Sequence, residues 1–242
     1  MEGFDPRTSF GPDVARRYDH HPRGDEPETV DFLASLAGDG AALELAIGTG
    51  RIALPLAARG IRVDGVELSP DMVARLREKR GGMSLDVVLG DMATAAAPAS
   101  SYRLIYLVYN TIFNLLTQDD QTHCFENVAR HLARDGVFVM EAGVPTAWLR
   151  GGQFVDVERV TNDEVVLDVN RYDPVTQVLS ENHLTFTNGG VHLRPIACRL
   201  ATPAELDLMA RLAGLRLVDR WGGWQGEPFT ALSDRHVSTY GW

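Results

Sequence analysis

The chain has 242 residues, enough for one or two domains, and its hydrophobic share of 45% supports a sizeable core. Its formal net charge of −10 argues against nucleic acid as a partner, because phosphate binding needs a positive surface. No apolar run has the length of a membrane span, and the N-terminus lacks the basic and apolar regions of a signal peptide. We therefore expect a cytoplasmic protein that binds neither nucleic acid nor a membrane.

Residues 1–27 form an arm rich in proline, glycine and aromatic side chains, with a short helical piece predicted at residues 14–18. An amphipathic helix follows over residues 28–37 and ends at Gly38, a residue type common just past helix C-termini. The arm thus precedes the first core helix and is predicted to act as a lid.

An apolar run over residues 42–47 stops at a tight turn that contains Gly48 and Gly50. A second apolar run ends in the carboxylate of Glu67, about 17 residues past the turn. Two buried parallel strands, a glycine loop and an acid at the tip of the second strand predict a nucleoside site. In such a site the Glu67 carboxylate binds a ribose diol.

The turn lacks the third glycine with which a dinucleotide fingerprint opens its helix. An acid, Glu44, lies inside the first strand, four residues before Gly48. A carboxylate there is badly placed for a pyrophosphate but well placed for the ammonium group of a sulfonium amino acid. The sequence therefore favours S-adenosylmethionine over a nicotinamide dinucleotide.

Residues 44–50 resemble motif I of the class I S-adenosylmethionine-dependent methyltransferases, whose usual pattern is acid-x-Gly-x-Gly-x-Gly. Ala46 stands where the first of those glycines is usual. The resemblance implies S-adenosylmethionine as cofactor, with Glu44, Ala46, Gly48 and Gly50 around it. It also implies that Glu67 is the ribose-binding acid and that Leu68 lies beside the nucleoside.

Asp91 and Met92 follow the third strand and are similar to the third motif of the same family. The resemblance implies that the Asp91 side chain accepts from the adenine amino group and that the Met92 backbone addresses the ring. Strands at residues 104–110 and 136–141 flank a helix predicted at 119–133. Strands and helices that alternate in this way predict a parallel sheet with helices on both faces.

After Gly143 four strand-like runs, at residues 154–160, 164–172, 177–187 and 191–200, are separated by turn residues. Short strands joined by turn dipeptides predict an antiparallel meander, which we interpret as an insertion over the substrate. A capping-box pattern at Thr202 then opens a helix that runs to Ala213, and two strands complete the chain.

The predicted fold class is α/β: a Rossmann-like seven-stranded methyltransferase sheet with an antiparallel β insertion before the last helix. The predicted segments are an N-terminal arm or lid (1–27), an S-adenosylmethionine-binding α/β core (28–150), the antiparallel β insertion as substrate cover (151–200), and the C-terminal helix and strands that complete the core (201–242).

Methyl transfer from a sulfonium is an in-line displacement, so the enzyme mainly aligns a nucleophile and excludes water. The sequence accordingly shows cofactor residues more clearly than catalytic ones. In many small-molecule methyltransferases a tyrosine placed like Tyr18 folds over the cofactor, and Arg23 is then expected to pair with the methionine carboxylate. A solvated arm is the alternative interpretation.

Candidates for the acceptor side are drawn from the end of the fourth strand, the meander and the C-terminal segment. Tyr109 is expected beside the cofactor, and Asn110 and Asn114 beside the departing methyl group. The alternative interpretation of the two asparagines is a plain loop and helix cap. His183 is a candidate base or substrate contact, and the alternative interpretation is an exposed histidine on a strand. Asn114 and His183 are the catalytic candidates. Trp224 is expected either to stack on a substrate ring or to pack in a turn.

No metal is expected, because the seven histidines lack ligand spacing, although His20 and His21 have acids nearby. The predicted function is S-adenosylmethionine-dependent transfer of a methyl group to nitrogen or oxygen of a small-molecule acceptor, by a monomer or homodimer. The chain is also similar to sugar N-methyltransferases of secondary metabolism. A non-catalytic S-adenosylmethionine-binding regulator and an NAD(P)-dependent oxidoreductase are the alternatives. An NAD(P)-dependent oxidoreductase needs a third glycine in the turn after the first strand and a Tyr-x-x-x-Lys site, and the chain has neither.

Overall fold

The structure is a computed structural model that describes residues 4–5, 8–20 and 22–242. Part of the predicted arm, at residues 1–3, 6–7 and 21, lies outside the described residues, and with it the extreme N-terminus and His21. Among the described residues, no helix combines the length and the apolar character that crossing a membrane requires.

The described residues form eleven β-strands and seven α-helices. The strands are β1 Ala42–Leu45, β2 Val63–Glu67, β3 Asp86–Leu89, β4 Tyr102–Leu107, β5 Leu132–Gly143, β6 Gln153–Val160, β7 Glu164–Asp173, β8 Val178–Thr187, β9 Gly190–Arg199, β10 Arg216–Trp221 and β11 Arg235–Gly241. The helices are α1 Pro12–Arg17, α2 Glu26–Ala37, α3 Ala53–Ala57, α4 Pro70–Arg77, α5 Gln118–His131, α6 Pro145–Trp148 and α7 Pro203–Leu212.

A seven-stranded sheet forms the centre of the molecule, in the order β10-β11-β5-β4-β1-β2-β3. Strands β1 to β5 pair in parallel, whereas β11 is antiparallel to both β5 and β10. The chain progresses from β1 outward to β3 and then returns to the other side of β1 at β4. The carboxyl ends of β1 and β4 therefore form a topological switch point, where open α/β sheets bind ligands. This architecture confirms the predicted fold class.

Apolar side chains bury both faces of this sheet. On one face α5 packs Phe125 edge-on against Phe138 of β5 and Tyr240 of β11, with ring centroids 5.6 and 5.7 Å apart. On the other face Leu33 of α2 and Leu56 of α3 are fully buried. The two layers fix the strand ends that position the site.

The second sheet is the predicted meander, with the order β6-β7-β8-β9 and antiparallel pairing throughout. Its attachment to the core is partly polar: Arg199 is buried, donates to the side-chain oxygens of Gln121 and Gln177, and pairs with Glu205 at 2.6 Å. Thr202 caps α7 by accepting from the Glu205 amide at 3.2 Å, as the sequence pattern predicts. The Glu205 side chain is committed to Arg199, because that buried guanidinium needs a counter-charge.

Several element boundaries differ from the sequence prediction. Helix α2 begins at Glu26 rather than at residue 28, because proline is tolerated in the first turn of a helix. Strand β5 begins at Leu132 rather than at Gly136, because Leu132 already pairs with Tyr102 of β4 across a register shift. Strand β4 ends at Leu107 rather than at residue 110, because Tyr109 and Asn110 adopt left-handed backbone, so this strand end at the switch point lies three residues earlier than predicted.

Candidate cofactor and acceptor site

The turn after β1 adopts left-handed backbone at Ala46, Gly48 and Gly50, with φ of 54°, 57° and 78°. A side chain at Gly50 would collide with the packed side chains of Leu54 and Leu76, so the third of these positions requires glycine. Ala46 adopts a conformation that L-residues other than glycine rarely take. The turn thereby presents backbone, with little side-chain bulk, at the switch point.

Glu67 connects this turn to β2. Its carboxylate accepts a hydrogen bond from the Gly48 amide at 2.8 Å and another from the Ser69 amide at 2.8 Å. The side chain is almost fully buried, and burial raises its pKa although the amide hydrogen bonds oppose the shift. Leu68, beside it, is partly exposed. Ser69 caps α4, with Pro70 in the first turn.

Glu44 is a buried acid with one side-chain partner, the hydroxyl of Tyr106, which donates to it at 3.0 Å. Burial raises the pKa of Glu44 to about 8, against the weaker opposing effects of Tyr106 and the Arg51 charge. A cation that reached Glu44 would favour its ionised form. The position is therefore suited to an ammonium group.

The loop after β3 is held by side-chain hydrogen bonds. Asp91 accepts from the Ala93 amide at 2.8 Å and so bends the chain around itself. The buried amide of Asn127 in α5 donates to the carbonyls of Met92 and Ala95 at 2.9 and 3.0 Å. Asn127 fixes the loop that holds Asp91 and Met92, a role that no local sequence pattern indicates.

The N-terminal arm is fastened to the glycine turn. The Thr49 hydroxyl donates to Asp19 at 2.7 Å, and Lys79 pairs with Asp19 at 2.7 Å while donating to the Thr49 carbonyl at 2.7 Å. The Ser69 hydroxyl also donates to the carbonyl of Phe10 at 2.7 Å. The arm therefore lies across the glycine turn, and its role as a lid stays a prediction.

Arg23 brings two predicted cofactor residues together. Its guanidinium donates to the Tyr18 hydroxyl at 3.1 Å and stacks on the ring of Tyr109. Burial lowers the pKa of Arg23, against the opposing effect of Tyr18. The arm is thus joined to the end of β4 as well as to the glycine turn.

A cavity of about 380 Å³ lies at the carboxyl ends of β4 and β5, and we call it the β4–β5 cavity. Its wall includes Tyr109, Asn110, Glu141, Trp148 and Arg235. Trp148 packs so closely on Gly143 that a side chain at that glycine would collide with its ring. The volume lies within the range of small-molecule sites.

The backbone beside this cavity is strained at consecutive residues, because Tyr109 and Asn110 both have left-handed φ, 55° and 61°. The Tyr109 amide donates to the Glu141 carboxylate at 2.7 Å, and the Gly143 amide donates to the Asn110 side chain at 2.6 Å. Sequence reasoning missed Glu141 as a site residue. The available signal was a carboxylate at the end of an apolar strand, the same pattern that identified Glu67.

A model of the methyltransferase domain family matches residues 42–136. The cypemycin N-terminal methyltransferase of a Streptomyces species is 30% identical over 198 residues, 79% of this chain and 78% of that protein. The chain belongs to the S-adenosylmethionine-dependent methyltransferases. Its cofactor is S-adenosylmethionine.

Solved structures agree with this assignment. The CcbJ methyltransferase from Streptomyces caelestis is 36% identical, with a TM-score of 0.92 over 98% of this chain and 99% of that one. CalS10, an amino pentose methyltransferase from Micromonospora echinaspora solved with bound S-adenosylmethionine, is 22% identical, with a TM-score of 0.69 over 94% of this chain and 95% of that one. The second likeness shows the shared fold.

The residues of this methyltransferase fit its cofactor. The buried Glu44 lacks a cationic hydrogen-bond partner in the described chain, and the ammonium of S-adenosylmethionine would supply one. The left-handed turn and the Glu67 carboxylate lie at the neighbouring strand ends. These observations describe a site for an amino acid joined to a nucleoside.

Three predicted residues lie away from the β4–β5 cavity wall as the described residues define it. Asn114 ends a short helical turn and accepts from the Cys198 thiol at 3.8 Å. Trp224 is buried, with its ring centroid 5.5 Å from that of Phe32.

The third, His183, lies in β8 between two carboxylates. It contacts Asp168 through Nδ1 and Glu181 through Nε2, the latter at 2.7 Å. Burial lowers its pKa, but the two carboxylates outweigh burial and raise it to about 9. At neutral pH both ring nitrogens are therefore protonated, and the ring has no lone pair with which to accept a proton.

Proposed function

We propose that this methyltransferase transfers the methyl group of S-adenosylmethionine to a nitrogen or oxygen atom of a small molecule held in the β4–β5 cavity. The observation that carries the proposal is the position of this cavity. It lies at the end of β4, the strand next to β1 and its glycine turn, and its wall includes Arg23 of the lid and Tyr109, on which Arg23 stacks. Acceptor and cofactor would thus meet at the switch point.

The chain's own residues bind and orient the cofactor in this proposal. Glu44 binds the ammonium group, Glu67 the ribose hydroxyls and Asp91 the adenine amino group. The backbone of the turn at Ala46, Gly48 and Gly50 permits close approach, and Leu68 and Met92 flank the nucleoside. When bound, S-adenosylmethionine supplies an electrophilic methyl group that a nucleophile displaces in line.

Tyr18, Arg23 and Tyr109 close the site from the arm side. In the structure Arg23 links the two tyrosines, and in the proposed complex it also pairs with the methionine carboxylate. A closed lid excludes water, which otherwise competes with the acceptor for the methyl group. This supports an arm that opens and closes as the ligands exchange.

On the acceptor side, Asn110 is the predicted residue that the cavity geometry supports, since it forms part of the wall. For His183 the geometry favours a structural or contact role over that of base, because its carboxylate partners keep it protonated. Asn114 and Trp224 stay predictions as acceptor contacts. The relatives support nitrogen as the accepting atom: one is named for the cypemycin N-terminus and another for an amino pentose.

The experiment is isothermal titration with S-adenosylmethionine and S-adenosylhomocysteine, followed by a tritiated methyl-transfer screen over matched amines and alcohols of secondary-metabolite type. Binding together with transfer to a panel member supports the proposal. Tight cofactor binding without transfer to any member favours the non-catalytic regulator. Transfer that survives removal of the Glu67 carboxylate would contradict the assigned site.

A further inference from the structure

We propose that Glu141 binds the amino group of the acceptor, so that the substrates of this methyltransferase are small-molecule amines. The inference rests on the proposed methyl transfer and deepens it by naming the acceptor class. Its basis is the position of one buried carboxylate at the end of β5, in the wall of the β4–β5 cavity.

The Glu141 side chain is 93% buried, and one of its oxygens is committed to the Tyr109 amide at 2.7 Å. The other oxygen lies 3.8 Å from the nearest guanidinium nitrogen of Arg235, beyond hydrogen-bond distance. The Trp224 indole N–H lies close enough to the carboxylate to oppose the rise in its pKa, but it completes no hydrogen bond to it. A buried carboxylate with an available oxygen gains most from a ligand that donates a hydrogen bond and carries positive charge.

The charges around the cavity favour a cation. Its wall holds three acids, Asp25, Glu141 and Asp234, against two arginines, Arg23 and Arg235. Arg235 is shared among the three acids at 3.4 to 3.8 Å, so none of them is fully paired by it. Neither lysine nor histidine belongs to the described wall, so no other side chain there offers an ordinary nitrogen base.

The strained backbone keeps this carboxylate in place. Tyr109 and Asn110 hold left-handed conformations, which are strained for a bulky residue such as tyrosine, and hydrogen bonds to Glu141 and Gly143 maintain them. The same bonds fix the Glu141 side chain against the cavity. Strain of this kind is concentrated where a site must be held in one geometry.

Glu141 also provides a destination for a proton. An acceptor in its ammonium form loses one proton to a Glu141 oxygen, and the electron pair of the broken N–H bond stays on nitrogen. The neutral amine is then the nucleophile. Burial raises the pKa of Glu141, which makes its carboxylate a better proton acceptor than an exposed one.

Sinefungin tests this proposal without knowledge of the acceptor. It carries an amino group in the place of the sulfonium methyl of S-adenosylmethionine, and this amino group projects toward the acceptor side. Isothermal titration would compare sinefungin with S-adenosylhomocysteine, which lacks that amine. We expect the wild type to bind sinefungin about tenfold more tightly, a difference of about 1.4 kcal/mol. In Glu141→Gln we expect the ratio of the two dissociation constants to fall to about one, with S-adenosylhomocysteine binding unchanged, since the amide oxygen still accepts from Tyr109.

Asp135→Asn is the matched control, because it removes the same charge from a side chain that is 82% exposed and does not belong to the described cavity wall. It should change the ratio less than twofold, since solvent screens an exposed charge. An unchanged ratio in Glu141→Gln, or equal weakening of both ligands, would overturn the proposal by showing a merely structural role. Failure of the wild type to bind S-adenosylhomocysteine would overturn the proposed function itself, and the amine assignment with it.

A second observation, independent of the first, concerns the outer face of the meander. Residues paired across its four strands form three rows on this face, and every member except Asn182 is apolar. Several members, such as Val157 and Leu193 at 63% exposure each, are open to solvent. The rows are Val155–Val169–Asn182–Pro195, Val157–Leu167–Leu184–Leu193 and Val160–Val165–Phe186–Val191.

The opposite face of the same sheet holds Asp168, Glu181 and His183, which are buried or half-buried. The usual amphipathic pattern of a sheet is thus reversed, with charge inside and apolar side chains outside. A contiguous apolar face of this kind marks an interaction surface, because monomers rarely expose patches larger than a few hundred Å².

We infer that this face packs against the same face of a second copy of the chain. The three rows extend about 20 Å along four strands spaced by about 4.8 Å and present on the order of 400 Å². An interface of roughly 800 Å² per partner would therefore also cover the neighbouring row of Gln153, Arg171, Ser180 and Ala197 on the same face. The three rows contain no charged side chain, so two chains with a formal charge of −10 each can meet there without local repulsion. A two-fold axis through the face would pair the rows as in a β-sandwich.

Sedimentation velocity over a range of micromolar concentrations tests the dimer. We expect wild type at twice the chain mass of 26.6 kDa and Leu193→Asp at the mass of one chain. Leu232→Asp is the matched control, since Leu232 is 95% exposed outside the meander, and it should leave the dimer intact. Val157→Lys should reproduce the effect of Leu193→Asp, with circular dichroism showing that both variants fold. A wild-type monomer at every concentration, or dimers that survive both substitutions, would overturn the inference.

Discussion

One oxygen of the Glu67 carboxylate accepts a hydrogen bond from the Gly48 amide, 19 residues earlier in the chain, at 2.8 Å. The acid at the tip of β2 therefore holds the turn that follows β1 as well as lying where a ribose would bind. A carboxylate has lone pairs enough to keep this bond while accepting from ribose hydroxyls. In the proposed site Glu67 would thus link the shape of the turn to the affinity for the ligand.

Replacement of Glu67 by alanine should weaken S-adenosylmethionine binding by about 2 kcal/mol, through loss of charge-assisted hydrogen bonds to the ribose and a looser turn. Isothermal titration measures the effect. Glu67→Gln is the control, because its single carbonyl oxygen can keep either the turn or the ribose contact, and it should lie between alanine and wild type. An unchanged dissociation constant in Glu67→Ala would remove Glu67 from the site.

The substitutions Ala46→Gly and Gly48→Ala should change the free energy of unfolding in opposite directions. Ala46→Gly relieves a left-handed alanine and should raise the free energy of unfolding by up to about 1 kcal/mol, the cost of that conformation less the added flexibility of glycine. Gly48→Ala introduces the same strain, with the Met72 side chain 3.4 Å from the new methyl group, and should lower it by about 1–2 kcal/mol. Urea denaturation measures both, and a destabilised Ala46→Gly would contradict the strain argument.

The turn and the strand ends around the proposed nucleoside site could be predicted from sequence because their signals are local. The turn at Gly48 and Gly50 directly follows an apolar strand, and Glu67 ends the next one. The meander was predictable for a similar reason, since turn residues separate its strands.

The cavity wall could not be predicted in this way. Roughly a hundred residues or more separate Asp25, Glu141 and Arg235 from one another in sequence. The pairing of β5 with β11 brings Glu141 next to Arg235, and the start of α2 places Asp25 beside them. The contact of Asp19 with Thr49 and Lys79 is likewise tertiary. In sequence Lys79 follows the charged end of α4, and only the folded chain shows that it pairs with Asp19 of the arm.

The lid contact predicts a kinetic effect. Asp19→Ala removes the partner of both Thr49 and Lys79 and should accelerate S-adenosylmethionine dissociation about two- to fivefold, in line with 0.5–1 kcal/mol for a partly exposed pair. Stopped-flow fluorescence would report the rate constant. Asp13→Ala is the control, since Asp13 pairs with Arg16 at the exposed surface of α1 and should leave dissociation unchanged. Equal rates in wild type and Asp19→Ala would show that this contact does not retain the ligand.

Glu44 predicts opposite pH dependences for stability and for cofactor affinity. Its pKa is raised from 4.5 to about 8 by burial, so between these values the folded chain binds more protons than the unfolded chain. Stability without ligand should therefore fall as pH rises through this window. Glu44→Gln cannot ionise and should lose that part of the decline, so its melting temperature should exceed that of wild type more at pH 8 than at pH 5.

Affinity should change in the other direction, because the ammonium of S-adenosylmethionine favours the ionised carboxylate. Binding then releases a proton, and the association constant of wild type should rise from about pH 5 to about pH 8 and level off above the pKa. In Glu44→Gln the curve should be flatter and lie lower at pH 8. Titrations in two buffers of different ionisation enthalpy would count the released protons. Zero release below pH 8 would mean that Glu44 does not meet the ammonium group.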